Sequence, residues 1–144
     1  EANAAPIRGD LDARIIEAGL NKAINVYNSC FAYQCFEVIT GFSENVREGN
    51  ATKTSMMNIM EEKTSSEEGI IAACDFNDAD DSKGIIGDGG HSYSIKSVTS
   101  DTIIVVNPWD TSKDIKLTRS WFENSIRYMC NVNSDSRAVD IYWK

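Results

Sequence analysis

One histidine and one asparagine carry the clearest chemistry in this sequence. His91 is the only histidine, and it opens a β-type run that ends near Val98, while Asn107 closes the next apolar run, residues 102–106. Two such runs joined by a short polar turn are typical of a β-hairpin. If the turn centres on Thr99, residues equally distant from it face one another, and His91 and Asn107 are predicted cross-strand neighbours with Cβ atoms roughly 4.5–5.5 Å apart.

An imidazole held by a neutral amide is half of a nucleophilic site. The asparagine oxygen accepts the proton of one ring nitrogen and leaves the other nitrogen free to act as a base. A cysteine thiol suits such a base, because thiol and imidazole form a thiolate–imidazolium pair. Gly89 and Gly90 precede the histidine and would let a substrate backbone or a second lobe approach. We therefore expect the pair at an open, solvent-reachable end of the hairpin.

Two other interpretations of the hairpin stay open at this point. A lone strand histidine often bonds a neighbour for stability alone. A one-residue slip of the register would turn His91 and Asn107 to opposite faces of the sheet.

The residues around the pair resemble the calpain branch of the papain-like cysteine peptidases. Residues 90–95 are similar to the family's Gly-His-Ala-Tyr-Ser-Val motif, and residues 106–109 to its Asn-Pro-Trp-Gly motif. Residues 36–41 are similar to the Tyr-Glu-Ala-Leu-Ser-Gly stretch that precedes the His lobe of calpains, and residues 117–132 to the closing helix and strand of that lobe. About two thirds of the chain is covered.

This resemblance implies roles for individual residues. His91 would be the general base, Asn107 its orienting partner, and Trp109 the shield of their hydrogen bond, with Gly90 in support. The activity implied is hydrolysis of peptide bonds in a polypeptide substrate. The sequence departs from the family at Asp110, where Gly is usual, so we expect the loop after Asn107 to be built differently.

Cys30 is the candidate nucleophile. Residues 28–32, Asn-Ser-Cys-Phe-Ala, resemble the papain-type Gly-Ser-Cys-Trp-Ala and open a helix predicted to start at Ser29 or Cys30, where the helix dipole lowers the pKa of a thiol. The other cysteines, Cys35, Cys74 and Cys130, are predicted within a helix or in strands, as small buried hydrophobes.

Two features of the sequence weaken Cys30. Papain-like enzymes place an oxyanion-hole Gln about six residues before the Cys, but Ile24 stands there. Calpains carry their nucleophile on a separate preceding lobe, in a Gly-Asp-Cys-Trp motif that this chain lacks.

Three functions follow from these features. The first is a compact cysteine endopeptidase using Cys30, His91 and Asn107. The second is an isolated His/Asn lobe, or an inactive relative acting as a protein-binding module, whose partner is a second protease lobe carrying the nucleophile. The sequence lacks an initial Met, which favours additional sequence upstream of Glu1. The third is a Cys/His acyl-transfer enzyme, a deamidase or transglutaminase-like protein, because its first step is the same.

The pattern of the whole chain predicts an α+β fold. Apolar spacing predicts helices from about residue 10 to 27, from 29 to 41 and from 52 to 63, with residues 43–55 as a polar loop leading into the third. Strand-like runs then follow to the C-terminus, with a short helix capped by Thr118. We expect residues 1–144 to form a single domain or lobe, with a helical part over about 10–65 packed on an antiparallel sheet over about 69–144. The resemblance to papain-like peptidases implies that this is the papain-like fold or its His/Asn lobe.

Composition excludes several classes of function. The 144 residues are 42% hydrophobic, 25% charged and carry a net charge of −8, so nucleic acid and anionic membranes would be repelled. No apolar run approaches the roughly 20 residues that span a bilayer. The spacing of cysteine and histidine predicts no metal site, and calcium is implied by the family resemblance alone, because the acidic stretch 75–81 lacks EF-hand spacing and is interpreted as a solvated loop. Unpaired cysteines favour a reducing cytoplasm, or delivery into one.

Overall fold

The computed structural model describes residues 31–47, 49–66, 70–87 and 91–144. These residues form an α+β fold, as predicted. The helices and strands, in chain order, are α1 (Ala32–Thr40), β1 (Ser43–Arg47), α2 (Asn50–Ser65), β2 (Ala72–Phe76), β3 (Ser92–Val98), β4 (Thr102–Asn107), β5 (Asp110–Thr118), α3 (Arg119–Ser125), β6 (Ile126–Asn133) and β7 (Ala138–Trp143), with a 3-10 turn at Asp81–Lys83.

All seven strands belong to one sheet in the order β1-β7-β6-β2-β3-β4-β5. Every pairing is antiparallel except that of β1 with β7, which is parallel. The prediction of a purely antiparallel sheet is therefore wrong at one edge, and part of the predicted polar loop 43–55 is strand β1. Its sequence, Ser-Glu-Asn-Val-Arg, has little β propensity, so pairing with β7 rather than local preference makes it a strand.

The sheet buries both faces. On one face, α2 and α3 cover an apolar cluster, in which Met56, Met57 and Met60 are almost fully buried. On the opposite face, α1 packs against Tyr128 and its apolar neighbours on β6 and β7. The pairing of β3 with β4 determines on which of these two faces His91 and Asn107 lie.

Local signals explain where α1 and α3 begin and end. Gly41 ends α1 with a φ of 69°, a left-handed conformation that glycine adopts without strain. The Thr118 side chain accepts the Trp121 N–H at the start of α3, as predicted. The predicted start of the second helix at Ser29 or Cys30 is wrong, because α1 begins at Ala32 after Phe31, whose N–H donates to Gln34 Oε1 at 3.0 Å. The helix predicted over residues 10–27 lies outside the described residues.

The β3–β4 hairpin forms, with a register two residues from the predicted one. Ile95 pairs with Val105 rather than with Ile103. Because side chains alternate with a period of two, this offset keeps the side chains from His91 to Ile95 on their predicted faces. His91 and Asn107 are therefore diagonal neighbours rather than directly opposed, a separation that long side chains can bridge.

A β-bulge at Lys96 determines that His91 and Asn107 lie on the same face of the sheet. Next to the turn, Val98 pairs with Ile103 and Ser97 with Ile104, and Lys96 is then left over as the pairing resumes at Ile95. Without the bulge, the register near the turn would place His91 and Asn107 on opposite faces of the sheet. The extra residue restores them to one face.

Single-residue deletions test the role of the bulge. Deleting Lys96 should keep all pairs and cost at most about 1 kcal/mol of unfolding free energy, because the deletion removes only an exposed ion pair with Asp114. Deleting Ser94 should cost roughly 3 kcal/mol or more, because Tyr93, which is fully buried, would turn outward. Urea unfolding of both variants gives these values, and equal losses would contradict the account.

Candidate active site

The Asn107 carboxamide oxygen accepts hydrogen bonds from both His91 and Trp109. His91 Nε2 lies 2.8 Å from Asn107 Oδ1, and the Trp109 backbone N–H donates to the same oxygen at 2.9 Å. A backbone N–H can only donate, so the Asn107 atom that faces it must be the oxygen and not the amide nitrogen. His91 Nε2 must then carry a proton and donate it. In the neutral ring this leaves the lone pair on Nδ1.

Two aromatic rings hold the imidazole. Tyr93 lies edge to face with it at a centroid distance of 4.9 Å, and Trp109 lies at 4.2 Å with an interplanar angle of 56°. Trp109 is placed there by the tight turn between β4 and β5, in which Asn107 pairs with Asp110. The loop after Asn107 is thus two residues long, Pro108 and Trp109.

His91 is less accessible than the sequence predicts. Its exposure is only 6%, while that of Trp109 is 76%. The expectation of a solvent-reachable imidazole is therefore wrong, because the Trp109 ring lies against it on the outer side. The imidazole as a whole is therefore largely shielded from bulk water.

The Tyr93 hydroxyl connects the site to the segment that follows the 3-10 turn. Its hydroxyl accepts the Ile86 N–H at 2.8 Å and lies 3.4 Å from the Gly84 carbonyl oxygen. Burial raises the pKa of Tyr93, so the hydroxyl stays protonated at neutral pH. The hydroxyl ties the segment after the 3-10 turn to the strand that positions His91.

A polar group that the sequence interpretation missed lies close to the histidine. Asp75 pairs with Ser92, the residue after His91, and is only 2% exposed. Burial raises the pKa of Asp75, while the Phe76 N–H, Arg127 and His91 oppose that rise. The interpretation of residues 75–81 as a solvated loop is therefore wrong at its first residues. The β-type sequence of residues 70–76 was the signal that Asp75 is buried.

The described cysteines do not reach His91. The hydrogen bond and ring contacts of His91 within the described residues are to Asn107, Tyr93 and Trp109, and none is to a thiol. Cys35 lies within α1, and Cys74 and Cys130 lie in β2 and β6, as predicted. Cys30 and Gly90 lie outside the described residues.

Burial also makes two of these thiols poor nucleophiles. Cys74 and Cys130 are both fully buried. Burial raises the pKa of Cys74 well above its usual value and that of Cys130 to about 12. Both therefore remain thiols rather than thiolates at neutral pH.

The described residues offer neither a metal site nor a membrane span. No group of three or more His, Cys, Asp or Glu side chains is placed to hold an ion within them. In the acidic stretch, Asp80 bonds Lys83 and Ser82, and these contacts lower the pKa of Asp80. None of the described helices is long and apolar enough to cross a bilayer.

Comparison of the chain with protein families, with curated proteins and with solved structures finds no match. The resemblance to calpains therefore stays a prediction that rests on the motifs and on the geometry of His91 and Asn107.

Thiol labelling tests the assignment of the buried cysteines. At pH 8 the native protein should leave Cys74 and Cys130 unlabelled by iodoacetamide, because their raised pKa values keep the thiolate fraction low, whereas both should react in urea. Mass spectrometry of the digested protein reads each site. Rapid native labelling of either residue would contradict its assignment as an inert core thiol.

Proposed function

We propose that His91 and Asn107 form the base half of a cysteine-peptidase site that hydrolyses peptide bonds of polypeptide substrates. The observation that carries this proposal is the shared Asn107 oxygen, which accepts from His91 Nε2 and from the Trp109 N–H. It fixes the ring so that Nδ1 is the nitrogen left to accept a proton.

The chemistry requires little beyond this pair and a thiol. Nδ1 takes the thiol proton, and the thiolate attacks the peptide carbonyl carbon to form a tetrahedral adduct. The imidazolium returns its proton to the leaving amine as the C–N bond breaks, which gives a thioester and the free amine. Water then attacks the thioester with His91 again as base, and this step releases the acid and restores the thiol.

The thiol itself must come from outside the described residues. Cys30 is one source, and a separate lobe or chain is the other. One observation favours the second source: α1, which follows Cys30 closely, packs through Phe31 and Ala32 on the face of the sheet opposite to Tyr93 and His91. Function as a His/Asn lobe that completes its site with a partner lobe is therefore the second candidate. Acyl transfer to a group other than water would use the same first step.

Substitution of the dyad tests hydrolysis directly. We expect the full chain, assayed with a fluorogenic peptide library, to lose about 10²- to 10⁴-fold of its kcat/KM on His91→Ala, because general-base catalysis contributes that much. Asn107→Ala should lower kcat with less effect on KM. Asn124→Ala, an exposed asparagine remote from the dyad, is the matched control and should change neither.

The same assay identifies whether Cys30 or a separate lobe supplies the thiol. Loss of activity on Cys30→Ala but not on Cys35→Ala identifies Cys30. If the chain alone is inactive and unlabelled by a peptide-based thiol probe, addition of a thiol-bearing partner lobe must restore hydrolysis, and only with His91 intact. Hydrolysis that survives His91→Ala contradicts the proposal, as does the absence of hydrolysis both alone and with a partner. Mass analysis of the products separates cleavage from deamidation.

A further inference from the structure

The Tyr128 hydroxyl contacts both helix α1 and strand β3. It accepts the Ala32 N–H at 3.3 Å and lies 3.0 Å from Ser92 Oγ. Because a tyrosine hydroxyl has one donor and two lone pairs, it can hold both hydrogen bonds at once. Ser92 is the residue that follows His91. The hydroxyl therefore links the first residue of α1 to the residue beside the imidazole.

The hydrogen bond to Ser92 crosses one strand of the sheet. Asp75 of β2 pairs with Tyr128 on one side and with Ser92 on the other, so the three residues form one row. The backbones of Tyr128 and Ser92 are two strand spacings apart, roughly 10 Å. Their bond lies on the face covered by α1, whereas His91 and Tyr93 point to the opposite face. Tyr128 therefore acts on His91 through the backbone of β3.

The end of β3 next to His91 has a strand partner on one side. Ser92 pairs with Asp75 of β2, whereas the pairing of β3 with β4 begins at Ser94. Strand ends with fewer backbone hydrogen bonds open more readily than strand interiors. The Tyr128 hydroxyl adds a bond from the face of the sheet at the point where the pairing with β4 has ended.

Tyr128 is rigidly held. Its side chain is fully buried, and its ring lies edge to face with Phe31 at a centroid distance of 5.7 Å and against Trp143 at 4.9 Å. Burial raises the pKa of Tyr128, so the hydroxyl keeps its proton at neutral pH. A packed ring leaves the hydroxyl few alternative positions.

We propose that Tyr128 is a positioning residue for His91, which acts through the hydrogen bond between its hydroxyl and Ser92. This bond holds the backbone at Ser92 and so keeps the imidazole where Nε2 reaches Asn107 Oδ1 at 2.8 Å. The role in hydrolysis rests on the proposed function. The effect on the imidazole is measured without turnover.

Removal of one hydroxyl tests this role at the imidazole itself. In the nitrogen-15-labelled full chain, Tyr128→Phe should speed the exchange of the His91 Nε2 hydrogen with water roughly threefold to tenfold, the effect of one lost hydrogen bond. Ser92→Ala should also speed it, and adding Ser92→Ala to Tyr128→Phe should raise it no further, because the two side chains form one bond. Ser92→Thr keeps a hydroxyl and should retain slow exchange.

Tyr33→Phe is the matched control. Tyr33 belongs to the same aromatic cluster, with its ring centroid 6.1 Å from that of Tyr128, but its hydroxyl makes no hydrogen bond to a described residue. This variant should leave the exchange unchanged. Equal acceleration in Tyr33→Phe and Tyr128→Phe would indicate general loosening of the cluster and would overturn the proposal, as would slow exchange in both Tyr128→Phe and Ser92→Ala.

Kinetic measurements separate this proposal from the proposed function. In an active chain, Tyr128→Phe should lower kcat by a similar factor and leave KM unchanged, because the hydroxyl orients the base and does not bind substrate. Faster exchange in a chain without hydrolysis, alone or with a partner lobe, keeps the role of Tyr128 and rejects the peptidase. Hydrolysis with kcat and exchange both unaffected by Tyr128→Phe does the reverse.

Discussion

The site depends on one carboxamide oxygen that accepts two hydrogen bonds. The Trp109 N–H fixes which end of the Asn107 side chain is oxygen, and that oxygen in turn fixes the proton of His91 on Nε2. A neutral amide does this without placing a negative charge beside the ring, which suits a base that must exchange its proton with sulfur. The tight turn after β4 supplies both the backbone N–H and the indole that covers the imidazole.

The rest of the fold keeps these groups in place. A packed interior tolerates few alternative side-chain positions, and His91 lies against Tyr93, which is itself part of the apolar cluster under α2 and α3. Because of the bulge at Lys96, the register next to the hairpin turn differs by one residue from the register at the open end. This difference keeps His91 and Asn107 on one face of the sheet.

The contact between His91 and Asn107 was easier to predict from the sequence than the edges of the fold. Alternation placed His91 and Asn107 on one face, and a two-residue error in register did no harm because it preserves that face. The bulge at Lys96 could not be predicted, since it depends on packing of Ile95 and Val98 into the same core. Strand β1 was missed because its pairing with the distant β7 outweighs its local preference. The burial of His91 was missed because the resemblance implies only that Trp109 shields the hydrogen bond, and the spacing does not show how little of the imidazole this leaves exposed.

The state of the single histidine tests this account most directly. Nitrogen-15 NMR of the uniformly labelled chain has only one imidazole to assign, and it can be recorded at alkaline pH, where a histidine ring is neutral. We expect a protonated Nε2 whose hydrogen exchanges slowly with water, an unprotonated Nδ1, and loss of the slow exchange on Asn107→Ala. A proton found on Nδ1, or an Nε2 proton that exchanges equally fast with and without Asn107, would contradict it.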